Sequence, residues 1–183
     1  MNNFQFNSMS SIRWGGLRGE DAVAIYFESK GYIVCRNCFV YFSQGKVTSV
    51  KCNCNNKEFQ DGITNSLKGK NWFVYNGRPQ NQYEIDVLAA NSTFFGYNVY
   101  AVEVKDWQNR SVSCNEFCYH YYKANHFIHS LGIPLNEYYI LFALAGDSNI
   151  AGCRCDQNEI FIKSYDVINT INPKITLYNL YSR

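Results

Sequence analysis

Two apolar stretches, Tyr83–Ala90 and Asn98–Lys105, stand only seven residues apart and constrain the fold more than any other feature of the chain. Both contain Val, Ala and Tyr, and β-branched and aromatic residues fit a pleated surface. The segment Asn91–Gly96 between them carries Asn, Ser and Gly, which punctuate turns. The spacing predicts two adjacent strands of a hairpin. A third apolar stretch, Glu137–Ala145, follows a segment of helical pattern over 113–131 that closes at Gly132 and Pro134. Hairpin, helix and strand in that order predict an α/β fold with a mixed β-sheet flanked by helices.

The rest of the chain extends this frame. Glu20, Val23, Ala24 and Phe27 recur at helical spacing, so Leu17–Lys30 reads as a helix that Gly31 ends. Tyr32–Val34 reads as a short strand, and Phe39–Val50 as a hairpin turning at Ser43–Lys46. Residues 62–82 are polar, with Trp72–Tyr75 as a strand and Gly77–Gln80 as a loop. Ile160–Ile162 is expected as a strand, Tyr165–Ile171 as a short helix and Ile175–Tyr181 as a final strand. A length of 183 residues, 46% of them hydrophobic, suits a single domain spanning 1–183 with its own core. The net charge of +2 is too small to announce a nucleic-acid partner by itself. No basic stretch followed by an apolar one opens the chain, and no apolar run approaches the roughly 20 residues that span a bilayer. The expectation is a soluble intracellular protein with no membrane partner.

Eight cysteines are then notable, because thiols in a reducing cytosol more often bind metal than form bridges. Cys35-x2-Cys38 and Cys52-x-Cys54 are two close pairs inside a Cys-rich insertion at 35–82. Four such thiolates can hold a structural Zn²⁺ tetrahedrally. Disulfides and free thiols are the alternatives. Cys114, Cys118, Cys153 and Cys155 leave the same three choices open.

The chemistry concentrates in the hairpin. Side chains alternate along a strand, so Ala101, Glu103 and Lys105 share one face while Val102 and Val104 take the other. A carboxylate and an ammonium thus stand about 7 Å apart near a strand end. Asp86 lies 17 residues before Glu103, within the apolar sequence Ile85-Asp86-Val87 of the partner strand. Two carboxylates brought together repel unless a cation joins them. Mg²⁺ takes hard oxygen ligands, commonly one or two carboxylates completed by water and substrate phosphate. Lys105 would orient the attacking water and stabilise charge building on phosphorus.

Asp86 followed by Glu103-Val104-Lys105 resembles the D…ExK core of the PD-(D/E)XK, or restriction endonuclease-like, nuclease superfamily. Gly19-Glu20-Asp21-Ala22 through Gly31-Tyr32-Ile33-Val34 is similar to the first helix and strand of archaeal Holliday junction resolvases and Mrr-like enzymes. The resemblance implies a restriction endonuclease-like core and a Mg²⁺- or Mn²⁺-dependent endonuclease acting on DNA. It puts the metal on Asp86, Glu103 and the Val104 carbonyl, water handling on Lys105, and a supporting role on Glu20. It also implies a two-fold homodimer. Lys68, Lys70, Arg78 and Arg110 are candidate phosphate contacts. His120, His126 and His129 read as ordinary helix residues, and Tyr119, Tyr121, Tyr122 and Phe127 as packing. Two other readings compete: a catalytically inactive DNA-binding module of the same fold, and a zinc-organised protein-interaction domain.

Overall fold

The computed structural model describes residues 16–105, 112–145, 152–155, 158–169 and 174–183. Arg110 therefore lies outside the described residues. Helix α1 (Gly16–Glu28) leads into β1 (Ile33–Ser43) and β2 (Lys46–Cys54). Helix α2 (Lys57–Leu67) follows, then the two-residue strands β3 (Val74–Tyr75) and β4 (Arg78–Pro79). The long hairpin β5 (Gln82–Thr93) and β6 (Gly96–Lys105) precedes α3 (Cys114–Ser130) and β7 (Leu135–Ala145). Strands β8 (Gly152–Cys155), β9 (Asn158–Ile168) and β10 (Ile175–Ser182) complete the order.

Eight strands form one mixed sheet in the order β2-β1-β5-β6-β7-β10-β9-β8. Only β6 and β7 run parallel among its pairs, as strands joined by a crossing helix must. The expected α/β fold with a mixed, helix-flanked sheet is the one observed. Helix α1 covers one face, burying Val23, Ala24 and Phe27 against Val87, Ala89, Val102, Val104 and Leu141. Helix α3 covers the other, burying Phe117, Ala124 and Phe127 in the core that holds Ile85, Leu88, Ala101, Ile140 and Phe142. The alternation expected in β6 is thus present, with Ala101 and Val102 entering opposite cores.

Local chemistry explains the ends. Gly31 adopts φ +80°, and the Gly31 and Tyr32 amides donate to the Glu28 and Phe27 carbonyls, closing α1 in the manner of a Schellman motif. Gln44 and Gly45 both have positive φ, as a tight hairpin turn with the right twist requires. Ser113 caps α3 reciprocally with Glu116. The β5–β6 turn is Phe94-Phe95, whose rings are 96% and 77% exposed. Gly96 after it has φ +135°, and a Cβ there would stand 2.4 Å from the Pro134 carbonyl oxygen. Gly96→Ala should therefore destabilise the protein by about 3 kcal/mol in urea unfolding, and a loss near zero would contradict this packing.

Three expectations are corrected. Residues 57–67 form a helix that no sequence pattern announced and that runs into the stretch 62–82 read as polar: Asn56 caps it, and Phe59, Ile63 and Leu67 bury one stripe at spacing four. Tyr165–Ile168 continue β9 instead of starting a helix, because Val167 and Ile168 pair with Thr176 and Ile175 of β10. And the cysteines hold no zinc.

Cys35 joins Cys54, and Cys38 joins Cys52. Residues three apart on a regular strand face opposite ways. Here Asn37, at φ +51°, sits in a bulge that turns Cys38 to the same side as Cys35. Each thiol then meets a partner directly across the β1–β2 ladder, so sulfur bonds sulfur and Cys35, Cys38, Cys52 and Cys54 leave no thiolate for Zn²⁺. The other four form Cys114–Cys153 and Cys118–Cys155. Four residues of helix rise about 6 Å. Two residues of strand rise about 6.6 Å, so the two ladders match. Four disulfides are the pattern of an oxidising compartment or of a hyperthermophile interior, and do not support a reducing cytosol. Among the described residues no helix is long and apolar enough to cross a membrane.

Candidate active site

Strands β5 and β6 pair from Thr93–Gly96 up to Val87–Val102 and then part. Beyond that point β5 continues against β1 as far as Gln82, while β6 continues against β7 as far as Lys105. Asp86 stands in the fork. The β5 alternation slips there, since Ile85 and Leu88, three residues apart, both enter the α3-side core. The Val104 amide, left without a ladder partner on β5, donates to Asp86 Oδ2 at 2.7 Å. The carboxyl group of Asp86 thereby replaces a strand and bridges the seam.

Glu103 is buried beside it. Its Oε1 is 2.7 Å from the Lys105 ammonium, and its Oε2 is 2.6 Å from that of Lys123 on α3. His120, fully buried one helical turn earlier, places Nδ1 3.6 Å from the same Oε2. Burial alone would raise the Glu103 pKa, but Lys123, His120 and Lys105 outweigh it and hold the group down at about 2. Asp86 goes the opposite way. Burial, then the Glu103 charge, push it up to about 8 against the Val104 hydrogen bond, and Glu20 adds to the rise. Burial lowers His120 to about 3, so its ring is neutral at pH 7. Two neighbouring acids with pKa values driven apart divide their roles: one stays a carboxylate and the other carries a proton.

The structure brings part of the sequence-derived set together. Asp86, Glu103 and Lys105 adjoin, and Glu20 on α1 is near enough for its charge to act on Asp86. Val104 contributes its amide to Asp86 and its side chain to the α1-side core. Lys68 and Lys70 are exposed beside the start of β2, hydrogen-bonded through Gly69 and Lys70 backbone to Val47. Arg78 is exposed on β4, whose partner β3 docks through Tyr75 on Asn115 at the α3 N-terminus.

Sequence reasoning missed Lys123 and the buried setting of His120. The available signal was their place in α3, at 120 and 123 inside the stripe made by Phe117, Ala124 and Phe127. A polar residue on a buried helical face needs a partner. His126 and His129 are ordinary, as expected: His126 lies among Phe42, Phe73 and Tyr83, and His129 bonds the Asn125 carbonyl one turn back.

Among the described residues no group of three or more His, Cys, Asp or Glu is arranged to hold a metal ion. The pair Asp86 and Glu103 carries carboxylate oxygens within the number Mg²⁺ ordinarily takes from a protein, but Lys105 and Lys123 already engage both oxygens of Glu103. Burial first, and then the charges of Glu103 and Glu20, disfavour a charged Asp86, and a cation would relieve that repulsion. The donor set would fit a divalent ion if Lys105 gave up Oε1. Comparison of the chain with protein-family models, with curated proteins and with solved structures finds no match, so the functional reading rests on the geometry of this fork.

Proposed function

We propose that the protein is a divalent-metal-dependent DNA endonuclease with a restriction endonuclease-like core. The observation that carries the reading is the convergence of Asp86, Glu103 and Lys105 at the open end of a strand fork. Asp86 and Glu103 would hold the ion, with the Val104 carbonyl at the same strand end. A bound Mg²⁺ or Mn²⁺ supplies phosphate polarisation and acidification of water. The protein's own groups do the rest. The Val104 amide fixes the Asp86 carboxyl in the fork. Lys105, the more exposed of the two lysines on Glu103, would meet a phosphate oxygen and steady developing negative charge. Lys68, Lys70 and Arg78 offer exposed positive charge for flanking phosphates.

Supercoiled plasmid incubated with the protein and Mg²⁺ should be nicked, and EDTA should stop it. Glu103→Gln should slow nicking about a hundredfold or more, since it removes a charge aimed at the reacting centre. Binding of DNA with no cleavage in Mg²⁺ or Mn²⁺ would instead favour an inactive DNA-binding module of this fold. That second reading draws on the engagement of both Glu103 oxygens by lysines.

A further inference from the structure

We infer that Lys123 is a positioning residue that shares Glu103 with the divalent cation, anchoring the carboxylate for turnover while weakening the hold on the ion. The inference rests on the nuclease reading above. Lys123 is 4% exposed on the apolar side of α3, in the company of Phe117, Ala124 and Phe127. A lysine there is costly unless paired, and an apolar side chain of similar length would pack without that cost. Its ammonium lies 2.6 Å from Glu103 Oε2, and its charge also reaches Asp86.

The two lysines differ in a way that divides their work. Lys105 holds Oε1 from a side chain 27% exposed, whereas Lys123 holds Oε2 from a side chain 5% exposed. With a divalent ion bound, Asp86 and Oε1 of Glu103 would be the groups to hold it, and Lys105 would be free to turn toward a phosphate. Lys123 is enclosed between α3 and the sheet and stays on Oε2. It therefore fixes the rotation of the Glu103 carboxylate. The same positive charge repels the arriving ion and keeps one of the two oxygens from it.

Removing the charge should separate the two effects. Lys123→Met and Lys123→Gln should bind Mn²⁺ about tenfold more tightly than wild type. At saturating Mn²⁺ their kcat should fall by about 10- to 100-fold with little change in KM, as expected when a support of a metal ligand is lost. Lys123→Arg should restore the wild-type Mn²⁺ affinity. The measurement is titration of Mn²⁺ into the full chain at pH 7.5, read by the electron paramagnetic resonance of free Mn²⁺, with Asp86→Asn as control. Circular dichroism melting checks folding, and Lys123→Gln carries the test if Lys123→Met fails to fold. Unchanged or weaker Mn²⁺ binding in folded Lys123→Gln overturns the role of Lys123 and leaves the nuclease reading standing if Asp86→Asn has lost the site. Equal Mn²⁺ binding by wild type and Asp86→Asn overturns both.

Discussion

Asp86→Asn should abolish Mg²⁺-dependent cleavage, by about a thousandfold, and in metal-free buffer it should make the protein less sensitive to pH. Asparagine can still accept the Val104 amide through its side-chain oxygen, so the seam between β5 and β6 stays bridged. What disappears is the ionisation. The folded-state pKa of Asp86 is raised from 3.8 to about 8. Between those values the native protein holds a proton that the unfolded chain releases, so stability falls as pH rises. Asp86 dominates the window from pH 6.5 to 8. His120 and His126, both depressed from 6.5, add a smaller opposing gain at its lower end, and Glu103, depressed from 4.5 to about 2, acts well below it. Wild type in EDTA should therefore lose about 1 kcal/mol across the window. For a chain of this length that is a fall of roughly 2–4 °C in Tm. Asp86→Asn should lack that fall, as should wild type saturated with Mg²⁺. Scanning calorimetry at pH 6.5, 7.2 and 8 decides it: a wild-type Tm that holds steady or climbs with pH would mean Asp86 is already ionised in the metal-free fork.

Cutting one disulfide of either pair should do little, whereas cutting both should cost much more than twice as much. Cys114–Cys153 and Cys118–Cys155 span 39 and 37 residues and interleave. Once one is closed, the other adds only a short extra constraint to the unfolded chain. Loop-closure entropy gives about 4 kcal/mol for a loop of this length and only a small further increment for its neighbour. Cys114→Ser/Cys153→Ser should thus lower stability by about 1 kcal/mol. The fourfold variant that also replaces Cys118 and Cys155 should lose about 4 kcal/mol or more, roughly 8–16 °C in Tm. The β1–β2 pair, spanning 19 and 14 residues, should repeat the pattern at a slightly smaller scale. Thermal melts of the double and fourfold variants without reductant are the measurement. Equal losses on removing the first and second bridge would show that the bridges act by local packing and not by restricting the unfolded chain.

The parts of the fold that were legible in the sequence are those in which local pattern and tertiary demand agree. Helix α1 with Gly31, the β1–β2 turn at Gln44-Gly45, and the β5–β6–α3–β7 order all follow from periodicity and turn residues. Helix α2 was hidden because eight of its eleven residues are polar or Gly, and its apolar stripe is one residue wide. Tyr165–Ile168 misled because the segment is too short for its period to separate strand from helix, and only β10 decides it. The cysteine spacing favoured a tetrathiolate over the double disulfide that forms. The bulge at Asn37, invisible in spacing, aligns the four sulfurs in facing pairs. Within the site, Asp86, Glu103 and Lys105 were readable from their positions on apolar strands. Lys123 was not, because its meaning depends on a carboxylate 20 residues away on another element.

The sulfur bridges also fall at informative places in the strand order. Strands β2 and β8 form the two margins of the eight-stranded sheet, and each carries two of the bridged cysteines. Margins are where sheets ordinarily fray and where foreign strands add themselves. Here both hems are riveted, one to the neighbouring strand and one to a helix. Loosening of the sheet is thereby steered inward, toward the Asp86 seam, where two strands already lie apart.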